Sequence, residues 1–169
     1  MQSMPKRLRL VRLVPELDFG GVESRLILYA RMHDRSQIDL RVCGFSKHGD
    51  TARQLESLGI PVHVLNVSAR PQLRTTLALA TYLRRHRPDV LHSSIAEANI
   101  HGLAAGWLAR VPVRIAEEVG MPVHSRRARL AFRGLYATAS AIVGVSENIC
   151  EYVRTVDKAP PVRVRRIYN

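Results

Sequence analysis

A three-layer α/β/α fold around a parallel sheet is what this sequence predicts, and three observations carry the prediction. Short apolar runs alternate with longer amphipathic stretches along the whole chain. The runs, among them Leu8–Val14, Ile38–Phe45 and Ala141–Val145, are mostly apolar, as strands covered on both faces are. Several are entered through a proline, at Pro61, Pro88 and Pro112, a residue that stops a preceding helix. Strand–helix alternation of this kind builds right-handed crossovers with helices on both faces of the sheet. The expected result is a Rossmann-like sheet of six or seven strands, the first six in the order 3-2-1-4-5-6, formed by residues 1–169 as one domain.

The elements follow in order. After Leu8–Val14, Pro15 ends the first strand and Gly20-Gly21 opens a helix with Val22, Leu26 and Tyr29 at helical spacing, fading around His33–Ser36. Ile38–Phe45 is the second strand. Thr51–Leu58 is a short helix capped by Asp50 or Thr51 and stopped at Gly59. Ile60–Leu65 is the third strand, and Gln72–His86 the longest clear helix, with Leu73, Leu77, Ala80 and Leu83 on one face. Asp89–Ser93 is a short buried strand; Ser94–Asn99 turns into a helix that runs to Arg110 and carries the small residues Ala98, Gly102, Ala105 and Gly106. A strand over Val113–Ala116, a loop over Glu117–His124, a basic helix over Ser125–Thr138 and the strand Ala141–Val145 come next. Ser146 caps a helix to Val156, and Val162–Tyr168 closes the chain as a strand.

Composition narrows the function. A hydrophobic fraction of 46% is enough for a core, which excludes wholesale disorder. The net charge of +12 points to an anionic partner or to a solvated arginine-rich surface. Nucleic acid ranks last among such partners, because the basic residues are not interleaved with aromatics. Cys43 and Cys150 lie in apolar runs without CxxC spacing and read as buried free thiols. No apolar run reaches the length of a membrane span, and the basic start is a poor signal peptide, so the expectation is a cytoplasmic protein. Arg126, Arg127, Arg129 and Arg133 could still meet lipid phosphate at the inner membrane face, or form an ordinary solvated helix surface.

In a doubly wound sheet, ligands sit at the carboxyl ends of the strands. The Gly20-Gly21-Val22 loop is placed there. Glycines allow torsions closed to other residues, and a helix N-terminus offers free N–H groups and the positive end of its dipole to an anion. A plain strand-to-helix turn is the other reading. The third glycine of GxGxxG is absent, there is no P-loop motif, and no GxSxG elbow surrounds Ser93-Ser94. His63, His92 and His101 read as core or supporting histidines. The scattered histidines and the lack of HExxH give a metal site no support. Glu97, Glu117 and Glu118 fall on ligand-side loops, where an acid can serve proton transfer, hold sugar hydroxyls or simply be solvated.

Six blocks in this order resemble family 4 glycosyltransferases. Gly20-Gly21-Val22-Glu23-Ser24 is similar to the "GG-x-E/Q" loop, and Arg87-Pro88-Asp89-Val90-Leu91-His92-Ser93 to the "PDVVHxH" strand. Residues Asn99–Pro112 resemble the "N-xx-G-xx-AA-xx-AGVP" helix, and Val113–Gly120 the "VVxSxEHG" strand and loop. Ala141–Glu147 resembles "AIIAVSE", and Arg166-Ile167-Tyr168-Asn169 resembles "VIYNG". In two places the chain departs from the pattern: Ser94 and Val119 stand where the family often has histidine.

The resemblance implies the N-terminal, acceptor-side half of a GT-B enzyme, with a nucleotide sugar as co-substrate and no cofactor or metal. The donor-binding domain with its paired glutamates would lie beyond Asn169, so the 169-residue chain is expected to be inactive alone. Gly20, Gly21 and Val22 would face the donor diphosphate. His92, Ser94, Glu97, Asn99, Glu118 and Ser146 are the candidates for the cleft and for a glycan or lipid-linked acceptor of cell-envelope type; no catalytic residue is implied. The surface around Gly20, Gly21, Ser94, Glu118, Ser146 and Tyr168 is expected to be exposed. A stand-alone Rossmann-like module that binds an anion without chemistry remains the alternative.

Overall fold

The computed structural model describes residues 6–121 and 125–168. Its strands are β1 (Leu8–Val14), β2 (Ile38–Gly44), β3 (Val62–Val64), β4 (Val90–Ser94), β5 (Val113–Glu118), β6 (Ala141–Gly144) and β7 (Val164–Arg166). Its helices are α1 (Gly21–Met32), α2 (Asp50–Ser57), α3 (Leu73–His86), α4 (Ala96–Leu108), α5 (Arg126–Tyr136) and α6 (Glu147–Thr155). All strand pairs are parallel, in the order β3-β2-β1-β4-β5-β6-β7. The expected order of the first six strands is found, with a seventh beyond β6.

Side-chain alternation on β1 divides the core into two layers. Leu10 and Val14 pack with Val22, Leu26 and Ala30 of α1 and with Ala52 and Leu55 of α2. Val11 and Leu13 point the other way, against Leu79, Ala80 and Leu83 of α3 and Ala98 and Ala105 of α4. A third cluster continues the α4 layer over β5–β7, where Phe132 and Tyr136 of α5 and Ile149, Cys150 and Val153 of α6 meet Ala116, Ile142 and Val164. Each fully buried aliphatic side chain such as Leu26 or Leu55 contributes roughly 1.5–3 kcal/mol. The small-residue face of α4 has its expected use. A Cβ on Gly102 would sit 2.9 Å from Ser93 Cβ, and one on Gly106 would sit 3.1 Å from Leu91 Cδ2. The helix therefore lies directly on β4, within reach of its polar end. Cys43 and Cys150 are buried free thiols, and burial pushes the Cys43 thiol up.

Several boundaries differ from the expectations, each for a local reason. The third strand is only Val62–Val64, at the sheet edge, where β2 alone supplies hydrogen bonds. Gly49, not Asp50 or Thr51, caps α2. Asp18 approaches so closely that a Cβ on Gly49 would meet Asp18 Cα at 2.6 Å, and the Asp18 carbonyl accepts from Thr51 N at 3.1 Å. β4 runs on through Ser94, and α4 starts at Ala96, so Asn99 lies inside the helix and not in a turn. β5 continues through Glu117 and Glu118, which pair alongside Val143 and Gly144 of β6. They are strand residues, not loop acids. The last strand shrinks to Val164–Arg166 behind a 3-10 turn at Pro161–Arg163. Pro122, Val123, His124 and Asn169, which the sequence reading assigns to a loop and to the chain end, lie outside the described residues.

Candidate active site

The carboxyl ends of β1, β4 and β5 converge on one polar region. The first part is the β1–α1 turn. Leu17 anchors it, fully buried, with its N–H donating to Lys47 O at 3.2 Å. Phe19, by contrast, is 93% exposed. Gly20 caps α1 without a side chain, and its carbonyl accepts from Ser24 N at 2.9 Å. The N–H groups of Gly21, Val22 and Glu23 belong to the first turn, where helix geometry provides no partner. The expected special torsions are not used: Gly20 is extended (φ 169°), and among the described glycines only Gly59 is left-handed. The space beside Gly20 is taken by the end of the Glu23 side chain, its Oε2 lying where a Cβ would be. That carboxylate folds back over the start of its own helix, on the side an incoming anion would approach. Gly21 faces open space.

The second part is a buried ionic cluster. Leu10, Arg12 and Val14 share a face of β1, so Arg12 points into the core instead of into water. Its guanidinium donates to His92 Nδ1, to Ser94 Oγ at 3.0 Å and to Glu117 Oε2 at 3.2 Å. Arg25 of α1 donates to the other oxygen, Glu117 Oε1, at 3.0 Å. Ser94 Oγ also donates to Glu117 Oε2 at 2.5 Å. Because Arg12 donates into Nδ1, the His92 proton resides on Nε2. That atom is buried without a hydrogen-bond partner, as is Arg12 Nε, and Glu117 Oε2 lies 3.6 Å from it. Burial lowers His92 and keeps its imidazole neutral. Burial alone would raise the Glu117 carboxyl, but His92, the Arg12 charge and the Ser94 hydroxyl together hold it well below the usual carboxylate range. Burial lowers Arg12 as well, against the pull of Glu117.

A third part lies on the opposite face of β5. Asn99 of α4 donates to Glu117 O at 3.0 Å and to Glu118 Oε1 at 2.8 Å, and accepts from Ser93 Oγ at 2.7 Å. Tyr136 OH donates to Glu118 Oε1 at 2.7 Å. Asn99 thereby ties β4, β5 and α4 together at the point where the chain turns between Ser94 and Ala96. The turning residue, Ile95, has φ 77° and ψ 149°, a conformation that costs a β-branched residue on the order of 1–3 kcal/mol. It is held there by Ile95 N donating to Glu117 O at 3.0 Å and by Asn99 N donating to Ile95 O at 2.8 Å.

A groove of about 360 Å³ opens the ionic cluster to solvent, between Leu28, Tyr29 and Met32 of α1 and the residues after β7, Ile167 and Tyr168. Its floor is Arg12, Arg25 and Glu117. Three apolar side chains and two tyrosines above a charged floor suit a ligand with an apolar or sugar-ring face and polar groups beneath.

The structure thus sorts the candidates. His92 and Ser94 join one cluster, Asn99 and Glu118 another. Glu97 is exposed in the first turn of α4, apart from both. Ser146 is half-buried and caps α6, its Oγ accepting from Ile149 N at 3.3 Å. Ser94 and Glu118 are buried, contrary to the expected exposure, because β4 and β5 extend farther than their apolar runs; Tyr168 is exposed. His101 is a core histidine, bonded to Thr76 Oγ1 at 2.8 Å and Arg70 O at 3.1 Å, whereas His63 is exposed and stacks on Tyr82. Arg12, Arg25, Tyr136 and the strained Ile95 went unrecognised in the sequence. Only Arg12 leaves a signal there, a charge on the same face as Leu10 and Val14 of a mostly apolar strand. Among the described residues, no group of three His, Cys, Asp or Glu side chains is placed to hold a metal ion.

Known proteins place this geometry. The Glycosyl transferase 4-like domain matches residues 20–169. A search of curated proteins gives no match. Among solved structures, the lipopolysaccharide outer core galactosyltransferase WaaB superposes with a TM-score of 0.72 at 13% identity, covering 96% of this chain and 46% of that one. Anabaena HepE, solved with UDP and glucose, gives 0.67 at 20% identity over 96% and 45%. MurG of Acinetobacter baumannii gives 0.63 at 12% identity over 84% and 42%. Identities this low speak for the fold alone, and the chain spans less than half the length of each of these structures. Sheet order, matched span and fold agree on one conclusion: the chain belongs to the glycosyl transferase 4-like family and has the fold of the N-terminal half of a GT-B glycosyltransferase.

Proposed function

We propose that this domain is the acceptor-side half of a glycosyltransferase that moves a sugar from a nucleotide-sugar donor to a lipid-linked or polysaccharide acceptor. The observation that carries the reading is the floor of the groove, where Arg12, Arg25 and Glu117 are locked into one geometry beside the apolar side chains of α1 and Tyr168. Such a floor offers fixed donors to acceptor hydroxyls without reorganisation. The start of α1 supplies N–H groups at Gly21 and Val22 for the donor diphosphate once the Glu23 carboxylate swings aside. HepE was solved with UDP and glucose, and WaaB is a galactosyltransferase, which supports donor and reaction of this class. The remaining donor contacts would come from a second domain, so the 169-residue chain alone shows no transfer.

The test is a titration with UDP followed by amide chemical shifts. Gly21, Val22 and Glu23 should move, and Glu23→Gln should tighten binding by removing the competing charge. Unmoved amides would leave a plain strand-to-helix turn. Glycosyl transfer by the isolated chain would overturn the division of labour. UDP binding without transfer, even when a donor domain is supplied, would favour the binding module without chemistry. Peripheral contact with an anionic membrane is part of the same proposal. On α5, Arg126, Arg127, Arg129 and Arg133 are exposed, or nearly so, around Leu130, itself 73% exposed. Salt-sensitive cosedimentation with anionic vesicles checks it. No helix among the described residues is long and apolar enough to cross a membrane.

A further inference from the structure

A cavity at the other end of the sheet gathers a second set of arginines. At the amino ends of β4 and β5, a cavity of about 410 Å³ is walled by Arg9, Arg84, Arg87 and Arg110, with Asp89 the one carboxylate in its lining. Asp89 is already committed. Its Oδ1 accepts from Arg9 Nη2 at 2.8 Å, and its Oδ2 accepts from Arg9 Nε at 3.1 Å and Arg9 N at 2.9 Å. Arg84 donates to the Leu108 carbonyl at the end of α4. Among the described residues, the guanidinium groups of Arg87 and Arg110 have neither a carboxylate nor a carbonyl partner.

The backbone at these two arginines gives a second, independent observation. Each follows a helix that ends against the cavity, Arg87 after α3 and Arg110 after α4, and each is left-handed, with φ 45° and φ 56°. Glycine is the residue that takes such a position at least cost. A proline follows Arg87 directly and Arg110 after one residue, so the same turn is built twice, side by side. Charge at the end of a helix can serve its dipole; Arg84, Arg85 and His86 already occupy the last turn of α3, whereas the last turn of α4 carries no basic residue, so Arg110 serves that dipole as well. Both turns carry a cation where the backbone favours a residue with no side chain, and both face one cavity.

We propose that this cavity is a second anion site that takes a phosphate-bearing group of two or more charges, separate from the start of α1. Arg87 and Arg110 would each present a guanidinium fork to phosphate oxygens, while Arg9 and Asp89 hold the wall in place. The site does not depend on the proposed transferase reaction. β4 and β5 separate it from the glycine loop by roughly 15–20 Å, at about 3.3 Å per strand residue. The phosphate could belong to a free small molecule or to a lipid headgroup.

The variant Arg87→Gly/Arg110→Gly separates the site from the fold, because glycine relieves both left-handed positions. Its melting temperature should equal or exceed that of the wild type. Read at the amides of Arg87, Asp89, Arg110 and Val111, titration of the wild-type chain with inorganic pyrophosphate should give one saturable shift, independent of any shift at Gly21, Val22 and Glu23. The double variant should bind at least tenfold more weakly, and Glu23→Gln should not change this binding. A parallel arm uses phosphatidylglycerol vesicles against phosphatidylcholine vesicles, with the arginines of α5 replaced to remove their contribution. Loss of pyrophosphate binding in the double variant assigns a soluble phosphate; loss of vesicle binding alone assigns a lipid headgroup. If the double variant binds pyrophosphate and vesicles as the wild type does, or if the wild type binds neither, the proposal is wrong.

Discussion

Glu117 and Glu118 follow one another on β5, both nearly inaccessible, yet they serve opposite faces of the sheet in different ways. Glu117 faces α1 and meets the guanidinium groups of Arg12 and Arg25. Glu118 faces α4 and α5 and accepts from the Asn99 amide and the Tyr136 hydroxyl. The first carboxylate borders the groove; the second is enclosed by helices. The contrast separates charge held for a ligand from charge held for the fold. A buried ion pair seldom stabilises more than an apolar pair of the same size would, so its retention beside a groove calls for a use.

The largest expected effect comes from breaking the ionic cluster on one side only. Glu117→Ala leaves Arg12 charged and buried and should cost about 3–5 kcal/mol in urea denaturation. The double variant Arg12→Met/Glu117→Leu should recover part of that loss and still abolish acceptor binding in the groove. A double variant no more stable than Glu117→Ala would show that the pair is structural.

On the other face, Tyr136→Phe removes one donor from Glu118 and should cost about 1–3 kcal/mol while leaving ligand binding unchanged. A Tyr136→Phe loss as large as that of Glu117→Ala would erase the distinction between the two faces.

Acid should act on the Glu117 face in two windows. His92 is lowered by burial, so below its ordinary value of 6.5 the unfolded chain takes up a proton that the folded chain resists, and stability falls with pH. His86 and His101 are lowered in the same sense and share this window. His92→Gln should therefore reduce, without removing, the slope between pH 7 and 5. Glu117 is also depressed, so its contribution is complete above its ordinary value of 4.5 and is lost as pH falls below it. A stability curve flat from pH 7 to 5 in the wild type would contradict the buried neutral imidazole.

The smallest effect is expected at Gly21, which is not left-handed and whose missing Cβ would meet nothing within 4 Å. Gly21→Ala should leave stability unchanged or raise it by about 0.4–1 kcal/mol, through the unfolded chain. A loss of more than this would mean that the turn is tighter than its geometry.

The same contrast shows what the sequence could reveal. Strand order follows from local signals, apolar runs punctuated by Pro15, Pro61, Pro88 and Pro112, and these survive folding because both faces of the sheet are covered. The clusters are not local. Arg12 and Glu117 stand 105 residues apart, and Ser93 and Ile115 meet only across the β4–β5 pair. The apolar pattern of β5 ends at Ala116, so the two glutamates beyond it resemble a loop although the ladder with β6 continues through them. Ile95 has the composition of a strand residue, and its left-handed backbone leaves no trace in the amino-acid code.

The inward arginine of β1 bears on how this chain emerges from the ribosome. β1 is an interior strand, and its partner β2 follows within about 30 residues, so one edge of β1 is occupied early. The other edge awaits β4. His92 is synthesised 80 residues after Arg12, a delay of roughly 4–16 s at about 5–20 residues per second. During that interval an apolar, half-paired strand invites pairing with a neighbouring nascent chain. A guanidinium at its centre makes such a pairing costly unless the foreign strand brings a carboxylate to meet it. When β4 and β5 arrive, the deterrent is neutralised by the residues that define the native register.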